Sequence, residues 1–324
     1  MTSLIGEGSF GRVTLVTSSD GTLCARKEFK KFQGYQTENN WMVILQSMDI
    51  PIPKVFESSA EGNGSITMEY LPSNLHKLIE SRSIDPAKIT HFVRDMVKWL
   101  EKLHSRSLIH GDIKPENICI TNKGTLQIID YGLMCRNDFQ LQDTAPIYTV
   151  YYRHPWIFNS QFIKVPFRVA KAFDMWALGV VILEMINGKL PDLFVKTSVM
   201  EYLLEFRSTN MENHIETILR GSDIPIRDQV LLATLLKGFL QFDKDKYMSA
   251  YEASQVLDIF FQPSEETPQP ATNPPKRKRV DTMAPPKSKV LKSFGNCPPP
   301  ICVDHVWGSG CQNKENCKFF HPVQ

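Results

Sequence analysis

A glycine-rich segment near the N-terminus constrains the fold more than any other feature of the sequence. Residues 5–13 read IGEGSFGRV and contain Gly6, Gly8 and Gly11. Because glycine has no Cβ, such a backbone can turn tightly and bring its N–H groups close to phosphate oxygens. Taken alone, the pattern is as typical of a purely structural hairpin or of a dinucleotide-binding fingerprint.

The residues that follow the glycines narrow this choice. A strand pattern, a Ser-Ser-Asp-Gly turn and a second strand pattern come next, whereas a dinucleotide-binding unit would continue as a helix. The second strand pattern, LCARKEF, contains Lys27, which can reach phosphates held by a glycine-rich hairpin. A lysine in such a strand is more often a solvent-facing residue, and this alternative stays open here.

Composition divides the rest of the chain. Strand patterns and then helical patterns run to about residue 261, a length that can bury one core of roughly 250 residues. About ten prolines lie in residues 262–300, and the last two dozen residues regain aromatic residues and cysteines. We therefore predict an α+β domain at 1–262, a disordered, Pro-rich and basic linker at 263–296, and a very small module at 297–324.

Membrane insertion is not expected from the sequence. No segment has the ~18 consecutive apolar residues of a membrane span. The first residues, MTSLIGEG, lack the basic and apolar regions of a signal peptide. The formal net charge of +2 does not indicate polyanion binding by the whole chain. We expect a soluble intracellular protein with no membrane partner.

Two further motifs identify a family. Residues 108–120 read LIHGDIKPENICI and residues 126–134 read LQIIDYGLM. They resemble the catalytic loop and the metal-binding motif of eukaryotic-type serine/threonine protein kinases, and the glycine loop and Lys27 precede them in the expected order. The resemblance covers about four-fifths of the chain. It implies a bilobal fold, with a small β-rich N-lobe and a larger helical C-lobe, that transfers the γ-phosphate of ATP to Ser/Thr hydroxyls of protein substrates.

The resemblance also implies roles for polar residues in these motifs. Asp112 would accept or orient the proton of the substrate hydroxyl, and Lys114 would neutralise the γ-phosphate, as in serine/threonine kinases. Asn117 and Asp130 would supply oxygen ligands to Mg²⁺. Such groups suit phosphoryl transfer, where catalysis is mostly positioning and electrostatic stabilisation. A rival interpretation is an inactive scaffold, but degraded kinases usually lack at least one of these residues.

The lysine and the nucleotide site follow from the same resemblance. Lys27 would bind the α- and β-phosphates of ATP with Glu38 as its anionic partner; because the two lie close in sequence, a plain surface carboxylate at position 38 remains an alternative. Met68 would be the gatekeeper, with Cys119 beneath the base. The complete predicted nucleotide site comprises Ile5, Gly6, Glu7, Gly8, Ser9, Phe10, Gly11, Val13, Ala25, Lys27, Met68, Glu69, Leu71 and Cys119.

Several positions depart from the family pattern. Gly111 replaces the usual Arg before the catalytic Asp, which suggests activity without phosphorylation of Thr144 or Tyr148 in the activation loop. Tyr131 replaces the usual Phe of the metal motif. The HGD and DYG motifs resemble the vaccinia-related branch of the casein kinase group, whereas YTVYYRHPW at 148–156 resembles the cyclin-dependent and mitogen-activated group. The subfamily stays open.

Another pair of departures lies in the helical lobe. Trp156 stands where the family has a Glu that forms a buried ion pair with an Arg, and Tyr247 stands at the position of that Arg. An unpaired buried charge would be strongly destabilising, and replacement of both residues avoids it. We predict that a contact between the two aromatic rings fills the same volume.

The C-terminal module contains a set of metal-ligand residues. Cys302, Cys311, Cys317 and His321 have the spacing C-x8-C-x5-C-x3-H. Three thiolates and an imidazole are ligands of a tetrahedral structural Zn²⁺ site, and the spacing resembles CCCH zinc fingers. The alternative is an unstructured tail with incidental cysteines. Many such fingers bind single-stranded RNA, so we expect either RNA or a protein partner at this module.

The linker carries a basic run formed by Lys276, Arg277, Lys278 and Arg279. Preceded by prolines, it is typical of a nuclear localisation signal, and a merely solubilising charge cluster is the alternative. We expect a nuclear protein, with a share in the cytoplasm. The glycine loop starts about five residues from the N-terminus, which by analogy alone resembles compact kinases of large DNA viruses.

Overall fold

The computed structural model describes residues 3–136, 139–140, 150–159, 164–165, 167–195 and 210–262. Several predictions concern residues outside these ranges. They involve the zinc ligands Cys302, Cys311, Cys317 and His321, the basic run at 276–279, and Thr144 and Tyr148.

The N-terminal part is a five-stranded antiparallel sheet with the order β1-β2-β3-β5-β4. The strands are β1 Ser3–Glu7, β2 Gly11–Thr17, β3 Leu23–Phe29, β4 Val55–Ser59 and β5 Ser65–Glu69. On β3, alternate residues Ala25, Lys27 and Phe29 are buried, which places the lysine on the inner face of the sheet.

Helix α1, Phe32–Ser47, connects β3 to β4. Its buried residues are Tyr35, Glu38, Met42 and Leu45, spaced three or four apart so that they share one face. Glu38 is the one carboxylate on this buried face. It therefore points away from solvent and can face the buried lysine of β3.

The C-terminal part is mainly helical. Its described helices are α2 Leu75–Glu80, α3 Ile89–Ser105, α4 Pro155–Asn159, α5 Phe167–Asn187, α6 Met211–Arg220, α7 Ile226–Phe239 and α8 Ala250–Phe260. Short strands complete it: β6 Ser73–Asn74, β7 Leu108–Ile109, β8 Ile118–Ile120, β9 Leu126–Ile128, β10 Cys135–Arg136, β11 Phe139–Gln140 and β12 Lys164–Val165. They pair as β6-β8-β9, β7-β10 and β11-β12.

Helix α5 forms the centre of the helical lobe. Its described side chains from position 169 to 185 are nearly all buried, and Phe173 and Trp176 are fully buried. A helix that is apolar on every side must be surrounded by other elements. The two-lobed α+β fold predicted from the order of strand and helix patterns is confirmed. In the described ranges, no helix combines the length and apolar character needed to cross a membrane.

Trp156 packs in this lobe against Phe173, with ring centroids 5.8 Å apart. The ammonium of Lys244 lies 5.9 Å from the centre of the Trp156 ring. Tyr247 is also partly buried against the core. The indole therefore occupies an aromatic environment next to a cation, and its direct contact with Tyr247 stays a prediction.

Helix α8 is held against α3 by polar and aromatic contacts. Lys98 of α3 donates to the hydroxyl of Ser254 at 2.6 Å and to the carboxylate of Asp258 at 2.7 Å. Phe261 lies just after α8, and the guanidinium carbon of Arg94 is 4.4 Å from the centre of its ring. The His91 ring packs edge to face with the same ring, with centroids 5.0 Å apart. Residues as far as Phe261 are thus integral to the helical lobe.

We predict that Phe261→Ala lowers the free energy of unfolding by about 1.5–3 kcal/mol, because it removes a partly buried ring and its cation–π contact. The matched control is Tyr251→Ala, which removes an aromatic ring that is 63% exposed on α8. Denaturant unfolding of the two variants measures the difference. Equal losses in both variants would show that the Arg94 contact contributes nothing.

Candidate active site

The glycine loop is the β1–β2 hairpin, and its glycines have two different roles. A Cβ at Gly6 or Gly8 would meet no atom within 4 Å, so their backbone faces open space where a phosphate can approach. A Cβ at Gly11 would overlap the carbonyl oxygen of Glu28 on β3. Gly11 is therefore required by the close packing of β2 on β3.

A buried ion-pair network joins the two lobes. The ammonium Nζ of Lys27 lies 2.6 Å from Oε2 of Glu38 and 3.1 Å from Oδ1 of Asp130. Lys27 is only 7% exposed and Glu38 only 2%. Asp130 follows β9 of the helical lobe, so the contact links the β3 strand, helix α1 and the metal motif.

Burial and charge act in opposite directions on this network. Burial raises the pKa of Glu38 to about 7, although Lys27 opposes the shift. Burial alone would lower the pKa of Lys27, but the adjacent carboxylates of Glu38 and Asp130 raise it overall. Despite burial, Lys27 holds the pKa of Asp130 below its usual value. The cleft therefore contains an ammonium group that stays protonated and is fixed between Glu38 and Asp130.

The catalytic loop brings three predicted residues together. Nζ of Lys114 lies 2.6 Å from Oδ2 of Asp112. The amide nitrogen of Asn117 donates to that same oxygen and to the backbone carbonyl of Asp112, both at 2.9 Å. A short 3₁₀ turn, Pro115–Asn117, sets the position of the asparagine. The carboxylate of Asp112 is thus held by two donors from its own loop.

Asp174 of α5 holds this loop from below. Its carboxylate accepts the backbone N–H groups of His110 at 2.9 Å and Gly111 at 3.0 Å. It also lies 3.0 Å from Nε2 of His104 on α3. Although burial raises the pKa of a carboxyl, the hydrogen bond and charge of His104 lower that of Asp174 below its usual value. The catalytic loop is therefore anchored to the centre of the core.

The predicted nucleotide residues line one cleft between the glycine loop and the catalytic loop, with a volume of about 440 Å³. Every residue predicted for the nucleotide site lines it, together with Lys114, Asn117 and Asp130. Burial raises the pKa of the Cys119 thiol to about 11, so this residue presents a neutral floor to the cleft.

The family model of the protein kinase domain matches residues 1–258. The chain belongs to the protein kinase family.

Relatives of this kinase include mitogen-activated protein kinase 2 of Pneumocystis carinii, 24% identical over 84% of this chain and 86% of the relative. Extracellular signal-regulated kinase 2 of Dictyostelium discoideum is 25% identical over 81% of this chain and 80% of the relative. Mitogen-activated protein kinase HOG1 of Arthrobotrys oligospora is 30% identical over 67% and 65%, respectively. Two of these relatives are mitogen-activated protein kinases, which belong to the group that residues 148–156 resemble. With the family match, they make this chain a serine/threonine protein kinase.

The kinase site fits the magnesium and ATP that the family uses. Asn117 and Asp130 both line the cleft. Because the amide nitrogen of Asn117 is the donor in its contacts with Asp112, its amide oxygen is the atom that can bind a cation. An amide oxygen and a carboxylate are the hard ligands that Mg²⁺ takes alongside nucleotide phosphates. Within the described ranges, no group of three or more His, Cys, Asp or Glu is placed to hold a metal ion.

Some residues of the kinase site were missed by the sequence. Asp174 could have been found, because a carboxylate inside an otherwise apolar helix is a signal of a buried polar role. His104 gave no signal, because its partner is 70 residues away. Ser73, Asn74 and Lys77 also line the cleft. These polar residues follow Leu71 within six positions, so their closeness to a predicted nucleotide-site residue could have indicated them.

Gly111, the position that departs from the family Arg, lies in a backbone conformation that favours glycine. Its φ is +80°, and a Cβ there would lie 2.7 Å from the carbonyl oxygen of Leu133 in the metal-motif segment. Any side chain would have to push the metal motif away from the catalytic loop. The glycine thus permits a backbone contact between the two functional segments.

We predict that Gly111→Ala destabilises the kinase by about 2–4 kcal/mol, since it adds a clash to the left-handed backbone. The matched control is Gly124→Ala, because Gly124 has φ +76° but open space around its Cβ position. That variant should lose only about 1 kcal/mol. Thermal unfolding measures both, and indistinguishable losses would contradict a role for the Leu133 contact.

Proposed function

We propose that Lys27, Asp112, Lys114, Asn117 and Asp130 carry out the transfer of the ATP γ-phosphate to a Ser or Thr hydroxyl of a protein substrate. The observation that supports this most is the convergence of these residues on one cleft, with the Lys27–Asp130 contact at 3.1 Å and the Lys114–Asp112 contact at 2.6 Å. Transfer of this kind depends on such positioned charges.

In this proposal the nucleotide lies in the cleft beneath the glycine loop. Val13 and Ala25 cover the base from above and Cys119 lies below it. The open backbone at Gly6 and Gly8 receives phosphate oxygens. The protonated Lys27 fixes the α- and β-phosphates, because Glu38 keeps the ammonium in place.

Asp112 then receives the substrate hydroxyl. Its Oδ2 is held by Lys114 and Asn117, so the carboxylate is oriented before the substrate arrives. It accepts or orients the hydroxyl proton as the oxygen attacks the γ-phosphorus, while Lys114 neutralises charge on the transferred group. Mg²⁺, when held by Asn117, Asp130 and the phosphates, supplies further positive charge at the phosphate oxygens.

We predict that Asp112→Ala lowers the rate of phosphate transfer by about 10²–10⁴-fold, because the hydroxyl loses its proton acceptor. Transfer from radiolabelled ATP to a generic Ser/Thr substrate, and autophosphorylation, measure this. Asp192→Ala serves as the matched control, since that carboxylate is 88% exposed and distant in sequence from the motifs. Retained transfer in the Asp112 variant would remove this residue from the proposed chemistry.

Regulation is also part of the proposal. Gly111 cannot receive a phosphorylated residue as an arginine does, which supports activity without phosphorylation of the activation loop. The proposed targets of such control, Thr144 and Tyr148, lie outside the described residues. An origin in a large DNA virus remains a prediction by analogy.

For the rest of the chain we propose a linker at 263–296 and a CCCH zinc finger at 297–324. The spacing of the four ligands supports Zn²⁺, and binding of the metal would supply folding energy that so small a module lacks. Aromatic residues Trp307, Phe319 and Phe320 support stacking on single-stranded RNA, with a protein partner as the alternative. The basic run at 276–279 supports nuclear localisation.

We predict about one zinc ion per purified full-length chain, and almost none for Cys317→Ser, as measured by elemental analysis. Cys297→Ser is the matched control, because it removes a neighbouring cysteine that is not a proposed ligand.

A gel shift with short single-stranded RNA should show a complex that a zinc chelator abolishes. A zinc-bound protein without such a complex would favour the protein partner.

A further inference from the structure

Tyr131 of the metal motif makes a hydrogen bond that a phenylalanine cannot make. Its hydroxyl donates to the backbone carbonyl of Ile128 at 2.6 Å. The side chain is 1% exposed. A buried donor with a good acceptor fixes a side chain more strictly than ring packing alone.

The bond encloses the proposed metal ligand. Asp130 lies between the donor residue and the acceptor residue in sequence, so the hydrogen bond closes a small loop around its backbone. Asp130 has φ +66°, a left-handed conformation that is unfavourable for a residue with a side chain. Such a conformation persists where surrounding contacts determine it. The Tyr131 hydroxyl is one such contact.

The ring of Tyr131 connects the same segment to the catalytic loop. It meets the ring of His110 edge-on, with centroids 6.1 Å apart, and His110 meets Trp99 of α3 in the same way at 5.7 Å. The backbone N–H of His110 is bonded to Asp174. The tyrosine therefore packs its ring against the catalytic loop and hydrogen-bonds its hydroxyl to the end of β9.

We propose that Tyr131 is a positioning residue whose hydroxyl holds Asp130 in the orientation that binds Mg²⁺·ATP. This inference rests on the proposed function of the cleft. Removing the hydroxyl removes one of the contacts that hold the Asp130 backbone, so other conformations gain population and metal-dependent nucleotide binding then includes the cost of restoring the bound one.

The substitution that tests this is mild. The amide nitrogen of Gln127 donates to the same Ile128 carbonyl at 3.1 Å, so Tyr131→Phe does not leave that carbonyl without a donor. Tyr35→Phe is the matched control. It removes a hydroxyl that is bonded at 3.0 Å to Ser58 in the N-lobe, from a ring that is also buried.

Calorimetric titration with a non-hydrolysable ATP analogue, in excess Mg²⁺ and separately in EDTA, separates the two roles of the site. Wild-type protein should bind more tightly with Mg²⁺; if Mg²⁺ has no effect, the proposed function itself fails. For Tyr131→Phe, affinity in EDTA should match wild type within about twofold, and affinity in Mg²⁺ should fall by about threefold to tenfold, the range of one buried hydrogen bond. Tyr35→Phe should match wild type in both conditions.

Two outcomes would overturn the inference. Equal weakening of Tyr131→Phe in EDTA and in Mg²⁺ would indicate a general structural role, and unchanged affinity in Mg²⁺ would indicate no role. Hydrogen exchange without nucleotide gives an independent readout. The amides of residues 130–134 should exchange faster in Tyr131→Phe than in wild type, and unchanged exchange would also count against the proposal.

Discussion

The rest of the site depends on the hydrogen bonds that the carboxylate of Asp174 accepts from the catalytic loop. An isolated charge in the centre of a helical core is strongly unfavourable unless hydrogen bonds replace its water. Here two backbone N–H groups of the catalytic loop and one histidine nitrogen supply them. The contacts that stabilise this charge require residues 110 and 111 to lie next to α5, so the same hydrogen bonds stabilise the core and position the loop that contains Asp112.

The metal motif connects the catalytic loop to the N-terminal lobe. Gly111 lets the catalytic loop and the Leu133 carbonyl approach without an intervening side chain. Asp130, three residues earlier than Leu133, then contacts Lys27 of the N-terminal sheet at 3.1 Å. A displacement of the catalytic loop would therefore be transmitted to the buried lysine by backbone packing and one ion pair. The site is a chain of short contacts that begins in the core of one lobe and ends in the sheet of the other.

The sequence predicted the polar residues that line the cleft better than the residues that hold them in position. Lys27 and the motif residues could be located because they lie in short motifs that resemble those of protein kinases. The contacts of Asp174 with His104 and Gly111 could not be predicted, since these partners lie 63 to 70 residues away and only the folded chain brings them together. Gly11 shows a second requirement that the glycine pattern does not indicate, because this cleft residue is also required by its close contact with β3. Trp156 packs against Phe173 and Lys244, contacts that the sequence does not indicate, and its contact with Tyr247 stays a prediction.

The unequal contacts of Lys27 explain how one network can serve both an empty and a loaded cleft. Its distance to Glu38 is 2.6 Å and its distance to Asp130 is 3.1 Å, and Glu38 is the more deeply buried of the two carboxylates. Attraction between charges strengthens as distance and local dielectric fall, so the Glu38 contact is the stronger. In the proposed function, a cation at Asp130 would therefore take that carboxylate as a ligand while Lys27 stays paired with Glu38. The lysine would then keep a buried anionic partner while its ammonium binds the phosphates.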